Sequence, residues 1–320
     1  LKYYPYILMS VYTLDIDSGE RDPVSYPNPG DYVVELRHPI YDVKKLSIVS
    51  ARIHASQLLV NDNNNTFSIN NTTPATTVTL DNGNYSGRTL ATELDSKLSG
   101  ITVAYDKDKN DITFTGSSQF TFNFYGGTNG YHSSVAVDGK TTPHDILGFP
   151  ASNVVSDSNH TLTTGSLNLQ GPDALVIKIS SGADELNKTV YSDTPFYTGR
   201  ILMCGDVVNY SGSDDAVEHN FDTGTQNISK LRIQFFYSSN NRLIPYNFRN
   251  ANHILKLNIE CSTDKLYTTP KVVKDFSLPP PVRIPEMEDP DRWKGYVYIF
   301  LIVFVGLAFI LLTRPKKISE

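Results

Sequence analysis

Cysteine is scarce in this chain of 320 residues, which contains only Cys204 and Cys261. Two cysteines are too few for a disulfide framework, and they lack the paired spacing of a structural zinc site. We expect both to be buried free thiols, with a bridge between them as the alternative.

Long runs of basic residues are also absent, and the formal net charge is −6. Nucleic-acid binders need a concentrated cationic surface, so no nucleic-acid partner is expected. The seven histidines lack metal-ligand spacing, and YGGTNG at residues 125–130 lacks the lysine and the helix of a phosphate-binding loop. The sequence therefore predicts no catalytic residues, metal, cofactor or small-molecule substrate. A carbohydrate-active enzyme is a remote alternative, because sequence alone does not show how carboxylates pair in space.

The aromatic residues are 19 Tyr and 15 Phe with one Trp, and this composition favours strands over helices. Apolar residues alternate with polar ones in many short segments bounded by turn residues, which predicts strands with one buried face. The alternating sets are Tyr32, Val34 and Leu36; Ile101, Val103 and Tyr105; Ile112 and Phe114; Phe120, Phe122 and Phe124; Leu175, Ile177 and Ile179; Leu231, Ile233 and Phe235; and Leu255, Leu257 and Ile259.

Two local motifs interrupt the strand pattern. Leu90, Ala91, Leu94 and Leu98 recur at helical spacing, and Ser86 or Thr89 can cap this short helix. The polar run DKDKND at residues 106–111 predicts a hairpin turn that makes the strands on either side antiparallel neighbours.

Residues 295–313 form an uncharged apolar run that predicts one transmembrane helix over 293–313. At 1.5 Å per residue this run spans about 28 Å, close to the roughly 30 Å of a bilayer core. Aromatic rings mark one end and basic residues the other, as is typical of membrane interfaces. The predicted anchor residues are Trp293, Gly295, Tyr296, Tyr298, Thr313, Arg314, Lys316 and Lys317.

The sequence before residue 30 does not read as a signal peptide, because it lacks a charged region followed by a long apolar run. With only seven residues after Thr313, we expect a tail-anchored arrangement with the large domain in the cytosol. Upstream of the helix, five prolines predict an extended spacer of about 40 Å that holds the body away from the bilayer. An SH3-type ligand is the other interpretation of these prolines, which are Pro279, Pro280, Pro281, Pro285 and Pro290.

The strands fall into two groups, which predicts an all-β body of two tandem jelly-roll or β-sandwich domains. The expected organisation is an extended N-terminal arm at 1–30, a first domain at 31–155, a second at 156–265, a proline-rich linker at 266–292, the helix at 293–313 and a basic tail at 314–320.

Several segments taken in order resemble a known family. They are DIDSGERDPVSYPNPGDYVVEL at 15–36, LSIVSARI at 46–53, GNYSGRTLATELDSKL at 83–98, ITVAYDKDKNDITFTG at 101–116, DILGFP at 145–150 and SKLRIQFFYSSNNRLIPYNFRNANHILKLNIE at 229–260. They resemble minor capsid proteins of large icosahedral double-stranded DNA viruses with an internal membrane, such as the chloroviruses.

The resemblance implies a non-enzymatic double jelly-roll protein of the virion. It implies a place beneath the outer shell, with the major capsid protein and other minor capsid proteins as partners. The predicted helix then implies a lipid partner, namely the internal membrane of the virion and a host membrane during assembly.

A charged segment near the N-terminus is the candidate for contact with a partner. It reaches across to a neighbouring subunit in one interpretation and straps its own domain in the other. Its residues are Asp17, Ser18, Glu20, Arg21 and Asp22, preceded by Asp15. For the polar stretch around Arg249, Asn250, Asn252 and His253, a turn-stabilising role is expected.

Eight N-glycosylation sequons favour a rival function. They begin at Asn64, Asn70, Asn71, Asn84, Asn159, Asn187, Asn209 and Asn227. The rival is a type I membrane glycoprotein whose β-sandwich ectodomain binds a receptor or another ligand. Chains rich in Asn and Thr also produce such triplets by chance.

Overall fold

The fold is known from a computed structural model that describes residues 9–70, 75–127, 129–130, 139–182, 184–186, 198–203, 205–210, 218–221, 226–262 and 291–313. These residues form a predominantly β body and one apolar C-terminal helix, as predicted. The body contains two separate hydrophobic cores.

The larger core is enclosed by an antiparallel sheet of ten strands among the described residues. Its main path runs β1-β17-β2-β15-β10-β11, and the shorter strands β12, β13, β14 and β16 pair with members of this path. The strands are β1 (Met9–Asp17), β2 (Asp31–His54), β10 (Ala174–Ser181), β11 (Asp184–Glu185), β12 (Gly199–Leu202), β13 (Val207–Tyr210), β14 (Glu218–Asn220), β15 (Gln226–Ser239), β16 (Arg242–Pro245) and β17 (Ile254–Ser262).

Strand β2 is 24 residues long and changes partners along its length. Its first part pairs with β15, from Asp31 opposite Gln234 to Val43 opposite Gln226. Its second part pairs with β17 on one edge and with β13 and β14 on the other. Register shifts interrupt both ladders near the change, where Asp42 has a positive φ of 57°. Such bulges bend a strand, so β2 can serve both parts of the sheet.

The alternating residues of β15 and β17 supply much of this core. Leu231 and Ile233 have no exposed surface and Phe235 is 1% exposed, while their sequence neighbours are more accessible. Leu255, Leu257 and Ile259 repeat the pattern in β17. The alternation predicted for these two strands is therefore confirmed, and it follows from the period of two along a half-buried strand.

The smaller core lies entirely within residues 59–167 and forms an inserted β-sandwich. One sheet has the order β4-β3-β7-β8 and the other β5-β6-β9, and side chains from both meet in this core. The elements are β3 (Thr66–Asn70), β4 (Thr76–Thr79), α1 (Gly87–Lys97), β5 (Ile101–Asp106), β6 (Asp111–Gly116), β7 (Thr121–Asn123), β8 (Val154–Val155) and β9 (Thr161–Thr163).

The helix and the hairpin predicted for this region are both present. Ser86 caps α1, because its hydroxyl accepts from Thr89 N while the Thr89 side chain accepts from Ser86 N. This reciprocal pair satisfies two backbone donors that a helix N-terminus leaves free. Strands β5 and β6 pair from Ile101 opposite Gly116 to Asp106 opposite Asp111, so the polar run forms the expected turn.

The two cores do not follow each other along the chain. The predicted first domain, 31–155, contains β2, yet β2 pairs with β15 and β17 from the range 156–265. The division at residue 155 is therefore corrected: residues 16–54 and 175–261 build one core, and residues 59–167 build the other. Apolar alternation identifies buried faces but carries no information about which distant strands pair.

The C-terminal unit contains α2 (Arg292–Leu312), the one described helix long and apolar enough to cross a membrane by length and composition. From Gly295 to Leu312 the helix contains no charged residue. The helix coincides with the predicted span 293–313 to within one residue at each end. The five linker prolines, Arg314, Lys316 and Lys317 lie outside the described residues.

Replacing Phe122 by alanine should destabilise the inserted sandwich strongly. Phe122 has no exposed surface, and its ring packs edge-on against Phe114 at 4.9 Å and Phe67 at 5.4 Å between centroids. Such truncations in a core cost about 3–5 kcal/mol. Chemical denaturation of the full chain in detergent measures the loss. The control, Val155→Ala at a side chain 53% exposed, should change stability by less than about 0.5 kcal/mol, and equal losses would contradict this packing.

Candidate interaction surface

Strand β1 forms one edge of the large sheet. It pairs with β17 over its whole length, from Met9 opposite Ser262 to Asp17 opposite Ile254. Among the described residues, no second strand pairs with its other edge. An edge strand of nine residues is long for an unpaired edge, because exposed edges readily accept further strands.

The inner face of β1 is only partly covered. Ile16 is 3% exposed and Leu14 is half-buried, but Tyr12 is 52% exposed. Opposite Tyr12, the side chain of Ile259 in β17 is fully buried. The core therefore ends at β1, and the Tyr12 side chain lies at the margin of the core. On the outer face Val11 is 56% exposed and is a second accessible apolar side chain of this strand.

After β1 the chain turns through a short 3-10 helix, Ser18–Glu20, which is fixed to the loop before β17. The Asp17 carboxylate accepts from Gly19 N at 2.8 Å and caps this turn. Ser18 has no exposed surface: its backbone N–H donates to His253 O, and its hydroxyl accepts from His253 N at 2.8 Å. These bonds hold the turn against its own domain.

Arg21 closes the loop that follows. Its guanidinium donates to three backbone carbonyl oxygens, those of Ser18 at 2.7 Å, Tyr26 at 2.9 Å and Pro27 at 3.2 Å. It also donates to Asn252 Oδ1 at 3.0 Å. The five N–H donors of arginine suit this role, since one rigid fork can bind several acceptors. Arg21 is thus engaged within the chain, while Glu20 and Asp22 remain exposed.

A groove of about 780 Å³ adjoins β1 at Asp15–Asp17. It runs between the loop around Arg21, the first residues of β2 and the start of β17. Lys256 lies 3.6 Å from the Asp15 carboxylate, and Arg21 is bound to carbonyls, so the two cations of the groove are already engaged. The groove is acidic because its lining also carries five carboxylates, those of Asp15, Asp17, Glu20, Asp22 and Glu35.

Beneath this surface lies a buried polar pair. The Tyr32 hydroxyl is 2.9 Å from His253 Nε2, and the His253 ring packs against the rings of both Phe235 and Phe248. Burial lowers the pKa of His253 to about 3, with the nearby Arg21 charge acting in the same direction, and burial raises the pKa of Tyr32. Both groups are therefore neutral near pH 7, and the pair anchors the loop that carries Asn252.

Each predicted arm residue can now be placed. The arm is strapped to its own domain by Ser18 and Arg21. Glu20 and Asp22 are exposed at the groove, and one Asp22 oxygen accepts from Val24 N at 3.0 Å. The stretch around Arg249 does turn the chain, since Arg249 and Asn250 both have positive φ. Sequence reasoning missed the pairing of Tyr32 with His253, which links residues 221 apart and leaves no local signal.

A second polar cluster joins the two cores. Ser239 Oγ donates to the Asp145 carboxylate at 2.9 Å and is 3.0 Å from Thr141 Oγ1. The other Asp145 oxygen lies 3.2 Å from His144 Nε2, which also contacts Asn240 Nδ2. The carboxylate stands between serine and imidazole, whereas a nucleophilic serine needs the imidazole next to its hydroxyl. This cluster fastens the inserted sandwich to the β15–β16 hairpin.

The structure also describes some of the residues predicted for the anchor and one of the two cysteines. The side chains of Trp293, Tyr296 and Tyr298 on α2 are each about two-thirds exposed, and the Trp293 and Tyr296 rings lie 6.5 Å apart. Thr313 ends the helix, and its hydroxyl donates to Phe309 O. Cys261 is a buried free thiol whose pKa is raised by burial, and Cys204 lies outside the described residues. Within the described ranges, no three potential metal ligands cluster.

Comparison with known proteins places the sequence in one family. The sequence-family model described as "Family of unknown function (DUF5901)" matches residues 8–196, which is more than half of the chain. No curated protein sequence matches the chain.

Two solved virophage structures are similar to parts of this chain. The mavirus penton protein has 12% identity and a TM-score of 0.41, over 79% of this chain and 99% of that one. A chain of the Sputnik virophage has 10% identity and a TM-score of 0.36, over 79% and 98%. Likeness at this level supports no statement about function.

Acidification should destabilise the body through His253. Its pKa is lowered to about 3 in the folded state and is about 6.5 when unfolded, so the unfolded chain binds more protons between these values. Stability therefore falls with decreasing pH through this window, by up to about 1.4 kcal/mol per pH unit from this group. In denaturant titrations, His253→Gln should make the free energy of unfolding depend less on pH. The exposed control His38→Gln should keep the parent slope, and an unchanged slope in His253→Gln would refute the assignment.

Proposed function

The chain belongs to a family of unknown function, and we propose that it is a non-enzymatic structural protein of a virion that ties an icosahedral shell to an internal membrane. Its body lies beneath the outer shell, where it contacts the major capsid protein and other minor capsid proteins. Its C-terminal helix lies in the bilayer. The order of the segments that resemble minor capsid proteins supports the body's role.

The observation that carries the proposal is the apolar composition of α2 on every side. From Gly295 to Leu312 the helix contains no charged residue, and leaving so long an apolar surface in water is unfavourable. At 1.5 Å per residue the helix is about 31 Å long, which fits the bilayer core. A helix that is hydrophobic all round needs a bilayer or other protein around it.

The proline-rich segment is the proposed spacer between body and bilayer. Pro279, Pro280, Pro281, Pro285 and Pro290 fix φ and remove backbone donors, which favours extended chain over compact structure. A spacer of about 40 Å would allow a body seated under a shell to reach a membrane at a distance.

The proposed contact with shell proteins uses the surface formed by β1 and the acidic groove. The arm is held rigidly by Ser18 and Arg21, so its exposed carboxylates are presented at fixed positions. Preorganised surfaces of this kind lose little conformational entropy on binding. A lattice protein that must fit the same neighbours in every copy benefits from that rigidity.

The membrane role is tested by changing α2. Deleting residues 293–313, or placing two lysines at its centre with Ile302→Lys and Val303→Lys, should release the body into the soluble fraction in flotation assays. Each charge at the bilayer centre costs about 2.5–3.5 kcal/mol. Val24→Lys, at a body side chain 89% exposed, is the control and should float like the parent. Flotation of the deletion variant with the membrane would contradict the proposed anchor.

The alternative function is a type I membrane glycoprotein with a ligand-binding ectodomain. It is favoured by the exposure of the sequon residues Asn84, Asn159, Asn209 and Asn227. Asn64 is different: it is buried, its amide donates to Leu59 O at 2.9 Å, and its oxygen accepts from Asn61 N. A glycan on Asn64 is incompatible with this fold.

Intact mass of the protein from infected or expressing eukaryotic cells separates the two functions. A capsid protein facing the cytosol should have the mass of the bare polypeptide. Glycans on Asn84, Asn159 or Asn209 would support the glycoprotein and reject the capsid role. The control is the same protein after glycosidase treatment, whose mass should not change if the sequons are bare.

A further inference from the structure

The outer edge of β1 presents a regular row of backbone groups. Ser18 N donates to His253 O, so the hydrogen-bonded pairs of this ladder fall at the even-numbered residues that precede Ser18. Hydrogen-bonded and non-hydrogen-bonded pairs alternate in antiparallel sheets. The N–H and C=O groups of Val11, Thr13 and Asp15 therefore point away from β17. This is the pattern that an added strand needs.

The apolar side chains of β1 are partly exposed, and an added strand would bury them. Tyr12 and Leu14 face the core, but their exposure rises along β1 with distance from Ile16. A strand added to the edge would extend the inner face of the sheet over them. Exposed natural edges are usually protected by prolines, bulges or inward charges. The ladder between β1 and β17 is free of register shifts over nine residue pairs.

The charge around the edge defines the partner. Asp15 and Asp17 stand on the outer face of β1, and Glu20, Asp22 and Glu35 line the groove that the strand meets. Asp15 lies 3.6 Å from Lys256 on an exposed surface, and Glu35 stands opposite Lys230 in the ladder between β2 and β15. Within the described part of the chain, Asp17, Glu20 and Asp22 form no ion pair. Cross-strand pairs of opposite charge stabilise a sheet, and like charges opposite each other destabilise it. The edge therefore favours a strand with basic residues.

A second copy of β1 is a poorer occupant. Antiparallel pairing centred on Thr13 would place Val11 opposite Asp15 and Met9 opposite Asp17, without a cation for either carboxylate. Parallel pairing in register would place each carboxylate beside its own copy. Neither arrangement neutralises the acidic end of the strand.

We propose that the outer edge of β1 receives an extended segment of a neighbouring shell protein, with Lys or Arg at alternate positions that meet Asp15, Asp17 and the acidic groove. The inference rests on the proposed function, since it names the kind of partner that this surface would bind. Backbone pairing along Val11, Thr13 and Asp15 would give affinity, and the carboxylates would select the basic sequence.

The test uses the purified full-length chain in nanodiscs and fluorescent nine-residue peptides. The probe alternates Lys with Val, and the controls replace Lys by Glu or methylate alternate backbone nitrogens. Anisotropy should show binding of the basic peptide alone. Asp15→Asn with Asp17→Asn should weaken it and reduce its salt dependence, since an asparagine at 17 can still cap the turn. Equal binding of the Glu peptide would overturn the proposal.

A matched pair of variants at Thr13 isolates the backbone contribution. Thr13→Pro removes an outward N–H that β17 does not use, and edge strands tolerate proline there. Thr13→Val keeps that N–H and likewise loses the exposed side-chain bond to Asn258 Oδ1. Thr13→Pro should weaken peptide binding about tenfold or more, while Thr13→Val should leave it near the parent value. Equal affinities in two variants that unfold at the parent temperature would refute edge pairing.

Failure of this inference can be distinguished from failure of the proposed function. Peptide binding is measured without virus particles, so a negative result does not bear on the membrane and capsid roles, which have their own tests. Sedimentation of the same samples measures whether the chain forms dimers. Dimers of the parent chain that Thr13→Pro abolishes would identify a second copy as the occupant and reject a basic partner.

Discussion

The pairing of β2 with strands from the other end of the body is the constraint on which the structure depends. One part of this strand meets β15 and the other meets β17, and β1 completes the sheet beyond β17. The large core therefore exists only when segments separated by more than 170 residues come together, as in the pair Val43–Gln226. The inserted sandwich, by contrast, is built from one continuous stretch of chain.

The same constraint creates the candidate interaction surface. Because β17 lies between β1 and β2, the first strand of the body is pushed to the edge of the sheet. The loop that leads from β1 to β2 must then cross the end of the sheet, and Arg21 and Ser18 fasten it there. Their partners are mostly backbone atoms and Asn252, so the exposed carboxylates owe their positions to neutral groups below them.

Local features of this fold were predictable from sequence because local physics determines them. Alternation in β15 and β17, the capped helix α1, the β5–β6 hairpin and the apolar span of α2 each follow from periodicity or turn chemistry within about 20 residues. The discontinuous large domain was not predictable in this way. A period of two shows that Ile48 or Leu257 faces inward, but it does not specify that their strands are neighbours.

The candidate site also combines features that local sequence predicts with features that it does not. Charged residues of the arm stand out in the sequence because they are clustered, and their exposure at the groove agrees with that composition. The bond of Arg21 to Asn252 and the pair between Tyr32 and His253 depend on tertiary geometry. Neither residue type at those positions predicts a partner more than 200 residues away.

The contact between Thr13 and Asn258, which are 245 positions apart, also means that β1 is synthesised long before its partner strand. At about 5–20 residues per second, β1 would wait roughly 12–50 seconds before β17 leaves the ribosome. The inserted sandwich can fold during that interval, while β1 and β2 remain without their final neighbours. Long-range pairing is slow and leaves unpaired strands open to aggregation. Formation of the large core is therefore among the last events, when the apolar helix α2 is itself being made.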